Sequence, residues 1–248
     1  MSGMSIEEYV RAIRFTIDLA APSLAVPITL NETATWRTMG RRLYDLDLQA
    51  VVLPQEDEAM RDRLAPIKEI PGMSSFTVAA LINTIVAGLR DDAAYLNIGV
   101  WHGYSLFAGM LGNPGRHIVG VDNFSSFGGP REAFGAAFNR HRSERHVFFD
   151  MDSRDYFANQ HEGPVGFYFY DGDHSYDAQL EHLELCEPHF TSDALILVDD
   201  TNREAPRRAT LDFLSAREGR YKLIWDVSTG FESHPTVWNG LMLLRRTG

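Results

Sequence analysis

Two carboxylates and an imidazole stand within four residues in Asp171-Gly172-Asp173-His174, straight after the apolar run Val165 to Tyr170. A second acidic pair, Asp199-Asp200, follows the run Ala194 to Val198. Short apolar runs tipped with acid read as buried strands whose carboxyl ends face a ligand, as in an open α/β sheet. Carboxylates converging there repel one another unless a cation sits between them. Hard oxygen donors without cysteine favour Mg²⁺ over Zn²⁺. The implied chemistry is a hard metal ion beside a small-molecule site; the bland alternative is helix capping and a solvated acidic rim. His174 is either a general base, since imidazole titrates near neutral pH, or a hydrogen-bond partner of a cofactor or of the next helix.

A second constellation lies earlier, in Asn97-Ile98-Gly99-Val100-Trp101-His102-Gly103. Gly99 suits a tight turn and Gly103 a close approach at a helix start, where N–H groups and the positive dipole end face a ligand. Such a glycine pair also occurs in any bare strand–helix turn. Asp122 ends the next apolar run. A carboxylate there either accepts from both ribose hydroxyls or caps the Asp122-Asn123 turn. Asp152-Ser153, after the following run, either meets an adenine edge or is simply solvated beside Asp150 and Asp155. Phe124, Phe127 and Gly128-Gly129 form an apolar loop that either folds over the pocket or lies on the surface.

The elements that must position these residues follow from periodicity. Val78, Leu81, Ile82, Ile85, Val86 and Leu89 recur at helical spacing behind Ser74 or Ser75 as cap. Strands are expected over Ala94 to Val100, His117 to Val121, His146 to Phe149, Val165 to Tyr170 and Ala194 to Val198. Helices are expected over Tyr104 to Leu111, Pro130 to His141, from Tyr176 onward and over Arg207 to Ala216. Tyr221 to Val227 and Val237 to Leu244 are two strands without a helix between them, hence an antiparallel hairpin. The predicted fold class is α/β: a doubly wound, mostly parallel sheet with one reversed C-terminal strand. Residues 1–71 read as a helical N-terminal cap, broken by Pro22, Pro27, Pro54 and Pro66; residues 72–248 read as the sheet domain.

Net charge is −11, from 23 Lys and Arg against 34 Asp and Glu. That balance argues against nucleic acid and against an anionic membrane as partners, since both require a basic face. Cys186 is the single cysteine, so no internal disulfide forms, which fits a cytoplasmic location. Glu7, Glu8 and Asp18 interrupt any secretory apolar region. The stretch Phe76 to Leu89 is too short for a bilayer. The apolar segment Leu19 to Leu30 suggests a homo-oligomer interface. His117, His141, His146, His161, His182 and His189 show no partner spacing. His234 reads as a surface histidine, with contact to a substrate as the alternative, and Asn202 as a turn residue or a further ligand.

In order along the chain, Gly99-Val100-Trp101-His102-Gly103, Val121-Asp122, Asp171-Gly172-Asp173-His174-Ser175-Tyr176 and Asp199-Asp200-Thr201 resemble a class I S-adenosylmethionine-dependent methyltransferase. The closest likeness is to the macrocin O-methyltransferase type, and a more distant one is to catechol and caffeoyl-CoA O-methyltransferases. The resemblance spans roughly residues 72 to 246. It implies a seven-stranded sheet with an antiparallel last strand, S-adenosylmethionine as cofactor and Mg²⁺ as metal. It implies Asp171, Asp199 and Asp200 as metal ligands, and Asp173 at the amino group of the cofactor's methionine part. His174 then stands where the catechol type has a lysine that takes the proton. Asn97 replaces the acid the family usually carries at that strand end, and His102 stands where the macrocin type tends to carry arginine. The expected reaction is methylation of a hydroxyl on a small molecule, a sugar or secondary metabolite. The alternatives are a metal-independent N- or O-methyltransferase relying on His174, or a non-catalytic homologue that only binds the cofactor.

Overall fold

The computed structural model describes residues 4–20, 45–54 and 57–248. Seven strands form one sheet: β3 (Ala94–Ile98), β4 (His117–Asp122), β5 (His146–Asp150), β6 (Val165–Tyr170), β7 (Phe190–Val198), β8 (Tyr221–Val227) and β9 (Leu241–Arg246). Their order is β5-β4-β3-β6-β7-β9-β8, and a separate two-residue pair, β1 (Arg14–Phe15) with β2 (Val51–Val52), lies outside it. The first five are parallel, and β9 runs antiparallel to both β7 and β8. The predicted doubly wound sheet with a reversed last strand is therefore the observed one.

Burial explains why the strands read as apolar runs. Every residue of β3 and β6 is buried, the pattern of parallel strands covered on both faces. The alternation of a strand sends neighbours to opposite faces. Phe167 and Phe169 join the core under helices Phe76–Ala87, Tyr104–Met110 and Arg131–His141. Tyr168 and Tyr170 join the other core, with Tyr156, Leu183 and Phe213 from the helices of the second face. Two covered faces leave the strand ends as the place where loops open to solvent.

The last strand starts later than its sequence pattern suggests. Val237 to Gly240 lie in a tight loop, and Trp238 and Gly240 have left-handed backbones (φ 57° and 85°). Apolarity there reflects burial in the loop, since Val237 and Trp238 are both buried. Of the two expected caps of helix Phe76–Ala87, Ser74 and Ser75, Ser75 takes the cap position, but its hydroxyl donates to Thr236 O (2.6 Å) instead of capping. That bond ties the helix start to the β8–β9 loop.

The described part of the N-terminal region shares the first core. Tyr9, Val10, Ile13, Leu64 and Ile67 pack in the same cluster as Val78 and Leu81. Ser5 and Glu8 form a full capping box at the start of helix Ile6–Ala12. Gly230 N donates to Leu19 O (2.7 Å), so this region reaches the β8–β9 loop. The expected interface segment Leu19 to Leu30, and Pro22 and Pro27, lie largely or wholly outside the described residues. No helix among the described residues is long and apolar enough to cross a membrane.

Candidate active site

Strand order reverses between β3 and β6, and the crevice at such a switch point is where open α/β sheets bind ligands. A cavity of about 780 Å³ opens there. It runs along the carboxyl edge from Asp152 and Ser153, past Asp122 and Gly99, to Asp171, Asp173, His174, Asp199 and Asp200. That volume is ample for a nucleoside-sized ligand with an acceptor beside it.

The β3 loop is built by close backbone approach. Gly99 has φ 78°, and a Cβ there would overlap the carbonyl of Asp171. Asp171 N in turn donates to Ile98 O (2.8 Å). The ends of β3 and β6 thus touch backbone to backbone. Gly103 has φ 96°, and a Cβ there would press the Phe107 ring at 2.6 Å. It starts the helix Tyr104–Met110 but does not line the cavity. Asn97 does not line it either. Its side chain is fully buried, and its Oδ1 accepts from the Ser105 hydroxyl (2.8 Å), which braces the loop from beneath. Both residues, expected at the cofactor, stand behind the cavity wall and shape the loop. His102 is part of the same turn, and burial pushes its imidazole below the usual range.

Asp122 does line the cavity, and its carboxylate already accepts three backbone N–H groups. Oδ2 takes Val100 and Trp101 (2.8 Å each), and Oδ1 takes Phe124 (2.7 Å). It ties the loops after β3 and β4 together, and Oδ1 keeps acceptor capacity toward a ribose. Trp101 (φ 46°) lines the same wall, and its indole N–H donates to Phe127 O (3.1 Å). Phe127 stands exposed at the mouth, whereas Phe124 is buried against Phe134 and Phe148. Asp173 Oδ1 accepts from Ser175 N (2.9 Å), an Asx turn leading into helix Tyr176–Cys186.

At the other end the acidic residues do converge. His174 Nε2 lies 3.5 Å from Asp171 Oδ1 and 3.7 Å from Asp200 Oδ2. Burial disfavours its imidazolium, but the bond and charge of Asp171, joined by Asp200 and Asp199, outweigh that and raise the pKa to about 9. In the ligand-free protein at neutral pH, His174 is therefore a cation. A general base requires the neutral ring, which imidazole's ordinary titration would supply near neutral pH. Asp199 is nearly fully buried and its Oδ1 has no hydrogen-bond partner among the described residues. Burial first, then Asp171 and Asp200, push its carboxyl well above the usual range.

Asp200 has a left-handed backbone (φ 57°), a conformation short polar side chains tolerate best. Its Oδ1 accepts from the Asn239 carboxamide (2.9 Å) and its Oδ2 faces Arg203 Nη1 (3.0 Å). The donor set suits a hard cation in kind. As placed, however, no three His, Cys, Asp or Glu side chains among the described residues close into a metal cage.

Arg203, Trp238 and Asn239 all line this end, and sequence reasoning passed over them. Arg203 follows Asp200 at a spacing that signals nothing by itself. Trp238 and Asn239 sit in a loop that looks like strand. Asn202 takes the turn role: its carboxamide bonds Thr229 N, O and Oγ1 (2.7–3.0 Å). His234 is a correction. It is fully buried, bonded to Thr236 Oγ1 (2.7 Å), and neither surface-exposed nor on the cavity. Cys186 is buried at the end of helix Tyr176–Cys186.

Residues 96–201 match the family model described as a methyltransferase domain. Among solved structures the chain is similar to an O-methyltransferase from Bacillus cereus in complex with SAH (16% identity, 86% of this chain and 99% of that one, TM-score 0.55). It is similar to TomG from Streptomyces achromogenes, an O-methyltransferase involved in tomaymycin synthesis, in complex with SAM (17%, 88% and 99%, TM-score 0.53). It is similar also to the SAH-bound methyltransferase PaMTH1 of Podospora anserina (16%, 91% and 100%, TM-score 0.55). At these identities the likeness is one of fold. No curated protein matches the chain.

Proposed function

We propose that this chain, whose residues 96–201 match a methyltransferase domain model, moves the methyl group of S-adenosylmethionine to a hydroxyl of a small molecule, a sugar or secondary metabolite. One observation carries the reading. A single cavity joins a nucleoside-sized crevice at the β3–β6 switch point to a cluster of three carboxylates, an imidazole and a guanidinium. The crevice suits the cofactor. Asp122 and the 99–103 loop cradle its ribose, Asp152 and Ser153 its base, and Asp173 its amino group. The cluster suits the acceptor, because methyl transfer is an in-line displacement that needs an oriented and deprotonated oxygen.

Asp171, Asp199 and Asp200 would hold a Mg²⁺, which supplies a lowered pKa and a fixed position for the acceptor oxygen. The orphaned Asp199 Oδ1 and the mutual repulsion of the cluster support that role. His174, steered by Asp171 through Nε2, receives the acceptor's proton on its other ring nitrogen when the ring is neutral. Asn239 and Arg203 hold the Asp200 carboxylate, and Trp238 walls the acceptor side.

A second reading has an observation of its own. His174 and Arg203 already place two positive groups against Asp171 and Asp200, so the cluster is partly neutralised without a metal. A metal-independent methyltransferase follows from that, with nitrogen acceptors open again. Calorimetric titration of S-adenosylhomocysteine, followed by turnover of hydroxylated acceptors with Mg²⁺ or after exhaustive chelation, separates the readings. Micromolar binding with Mg²⁺-dependent turnover supports the first. Turnover that survives chelation supports the second. No binding of S-adenosylhomocysteine refutes both.

A further inference from the structure

The cavity end farthest from the acidic cluster holds a side-chain pair with a fixed direction. Ser153 Oγ lies 2.7 Å from His182 Nε2, and His182 Nδ1 lies 2.8 Å from Ala178 O. A carbonyl only accepts, so Nδ1 carries the ring proton and Nε2 presents its lone pair. Burial holds this imidazole below its ordinary pKa, so the ring is neutral at pH 7. The Ser153 hydroxyl must then donate to Nε2. His182 is almost fully buried and stacked on Tyr170 (centroids 4.5 Å apart, planes at 24°), which holds the ring in this orientation.

With its hydrogen committed inward, Ser153 Oγ turns only lone pairs toward the cavity that both residues line. Asp152 beside it is also an acceptor. Its Oδ1 takes Arg154 N (2.8 Å), and its Oδ2 takes the Asn123 carboxamide at 3.4 Å. The Arg154 guanidinium is engaged by Glu181 in a two-pronged pair (2.8 and 2.7 Å). The local pattern is acceptor-rich. A ligand with its ribose at the end of β4 and its other arm at the β3–β6 crevice places its base at this end, against the residues after β5. Adenine offers an amino group at position 6. Hypoxanthine offers a carbonyl oxygen there, which would meet oxygen lone pairs.

We infer that His182 is a positioning residue: it locks Ser153 as an acceptor, so that the site selects a 6-amino purine over a 6-oxo purine. The inference rests on the S-adenosylmethionine reading above and deepens it. The test titrates S-adenosylhomocysteine and its 6-oxo counterpart, S-inosylhomocysteine, into the full chain. Wild type should prefer the amino compound by on the order of tenfold or more, the scale of one mismatched buried polar contact. His182→Phe keeps bulk and stacking but frees the Ser153 hydroxyl to rotate and donate, and Ser153→Ala removes the acceptor. Both should lower the preference several-fold while S-adenosylhomocysteine affinity changes less. His182→Gln, which can still accept the Ser153 proton, should restore it.

An unchanged preference in either His182→Phe or Ser153→Ala overturns the inference. Should His182→Phe not fold, a His182→Gln variant that loses the preference while keeping its thermal stability overturns it as well. Wild type that binds S-adenosylhomocysteine without discrimination overturns it and leaves the methyltransferase reading standing. Wild type that binds neither compound overturns both.

Discussion

Gly99→Ala and Gly128→Ala form a matched pair that tests how the site is held together. The two glycines have nearly the same left-handed backbone, φ 78° and φ 80°. An L side chain in that region costs about 1–2 kcal/mol at either place. They differ in what the new methyl meets. At Gly128 nothing lies within 4 Å, whereas at Gly99 the Cβ runs into the carbonyl of Asp171. Backbone cannot swing aside as a side chain does, so the β3 and β6 loops must part, which adds about 1–3 kcal/mol. At roughly 2–4 °C per kcal/mol for a chain of this size, Gly128→Ala should lower Tm by roughly 2–8 °C. Gly99→Ala should lower it by roughly 4–20 °C. Differential scanning calorimetry of both variants against wild type reads the difference. Equal losses would refute the claim that backbone contact between the β3 and β6 ends is what demands glycine at position 99.

Other perturbations probe the cluster and the periphery. Asp199→Asn removes a carboxyl that burial and two neighbouring acids disfavour when charged. It should raise the Tm of the metal-free protein, by about 1 kcal/mol of stability, while Mg²⁺-dependent turnover is lost; full turnover would sink the metal assignment. Asn239→Ala frees Asp200 Oδ1 and cuts the link to the β8–β9 loop. It should weaken Mg²⁺ binding about tenfold by calorimetry, and unaltered metal affinity would show that the link is idle. Burial, with the charge of His189, lowers the His161 pKa from 6.5 to about 4. Below pH 6.5 the unfolded chain takes up a proton that the folded one refuses, so stability is lost progressively between pH 6.5 and about 4. The loss is ~3 kcal/mol at face value and ~1–2 kcal/mol after allowing for solvent screening at this half-exposed site. His161→Gln should flatten that part of the pH profile in urea unfolding, and an unchanged slope would assign it to other groups.

What was legible in the sequence was whatever repeats with a period. Strands β3, β4, β6 and β7 are apolar runs because they are covered on both faces, and the acidic tips of β4, β6 and β7 announce the carboxyl edge. The helix Phe76–Ala87 announces itself by spacing. Function at this edge also depends on side chains that meet across long sequence gaps, and those leave no periodic trace. Ser153 and His182 come from two helices of one face, and each reads alone as an ordinary polar residue. Asn239 reaches Asp200 from a loop whose apolar neighbours, Val237 and Trp238, imitate strand because the loop is buried. Asn97 and Gly103, which residue type placed at the cofactor, stand behind the cavity wall in the ligand-free protein and shape it from there. Burial changes chemical state as well. His174 looks like a neutral base in a list of residues, but three converging carboxylates make it a cation in the ligand-free protein. Its proton affinity is thus a property of the convergence of β6 and β7, which no spacing within Asp171 to His174 encodes. Any cation that enters the cluster competes with that imidazolium and with Arg203 for the same oxygens. Metal loading and the protonation of His174 must therefore be linked, each weakening the other.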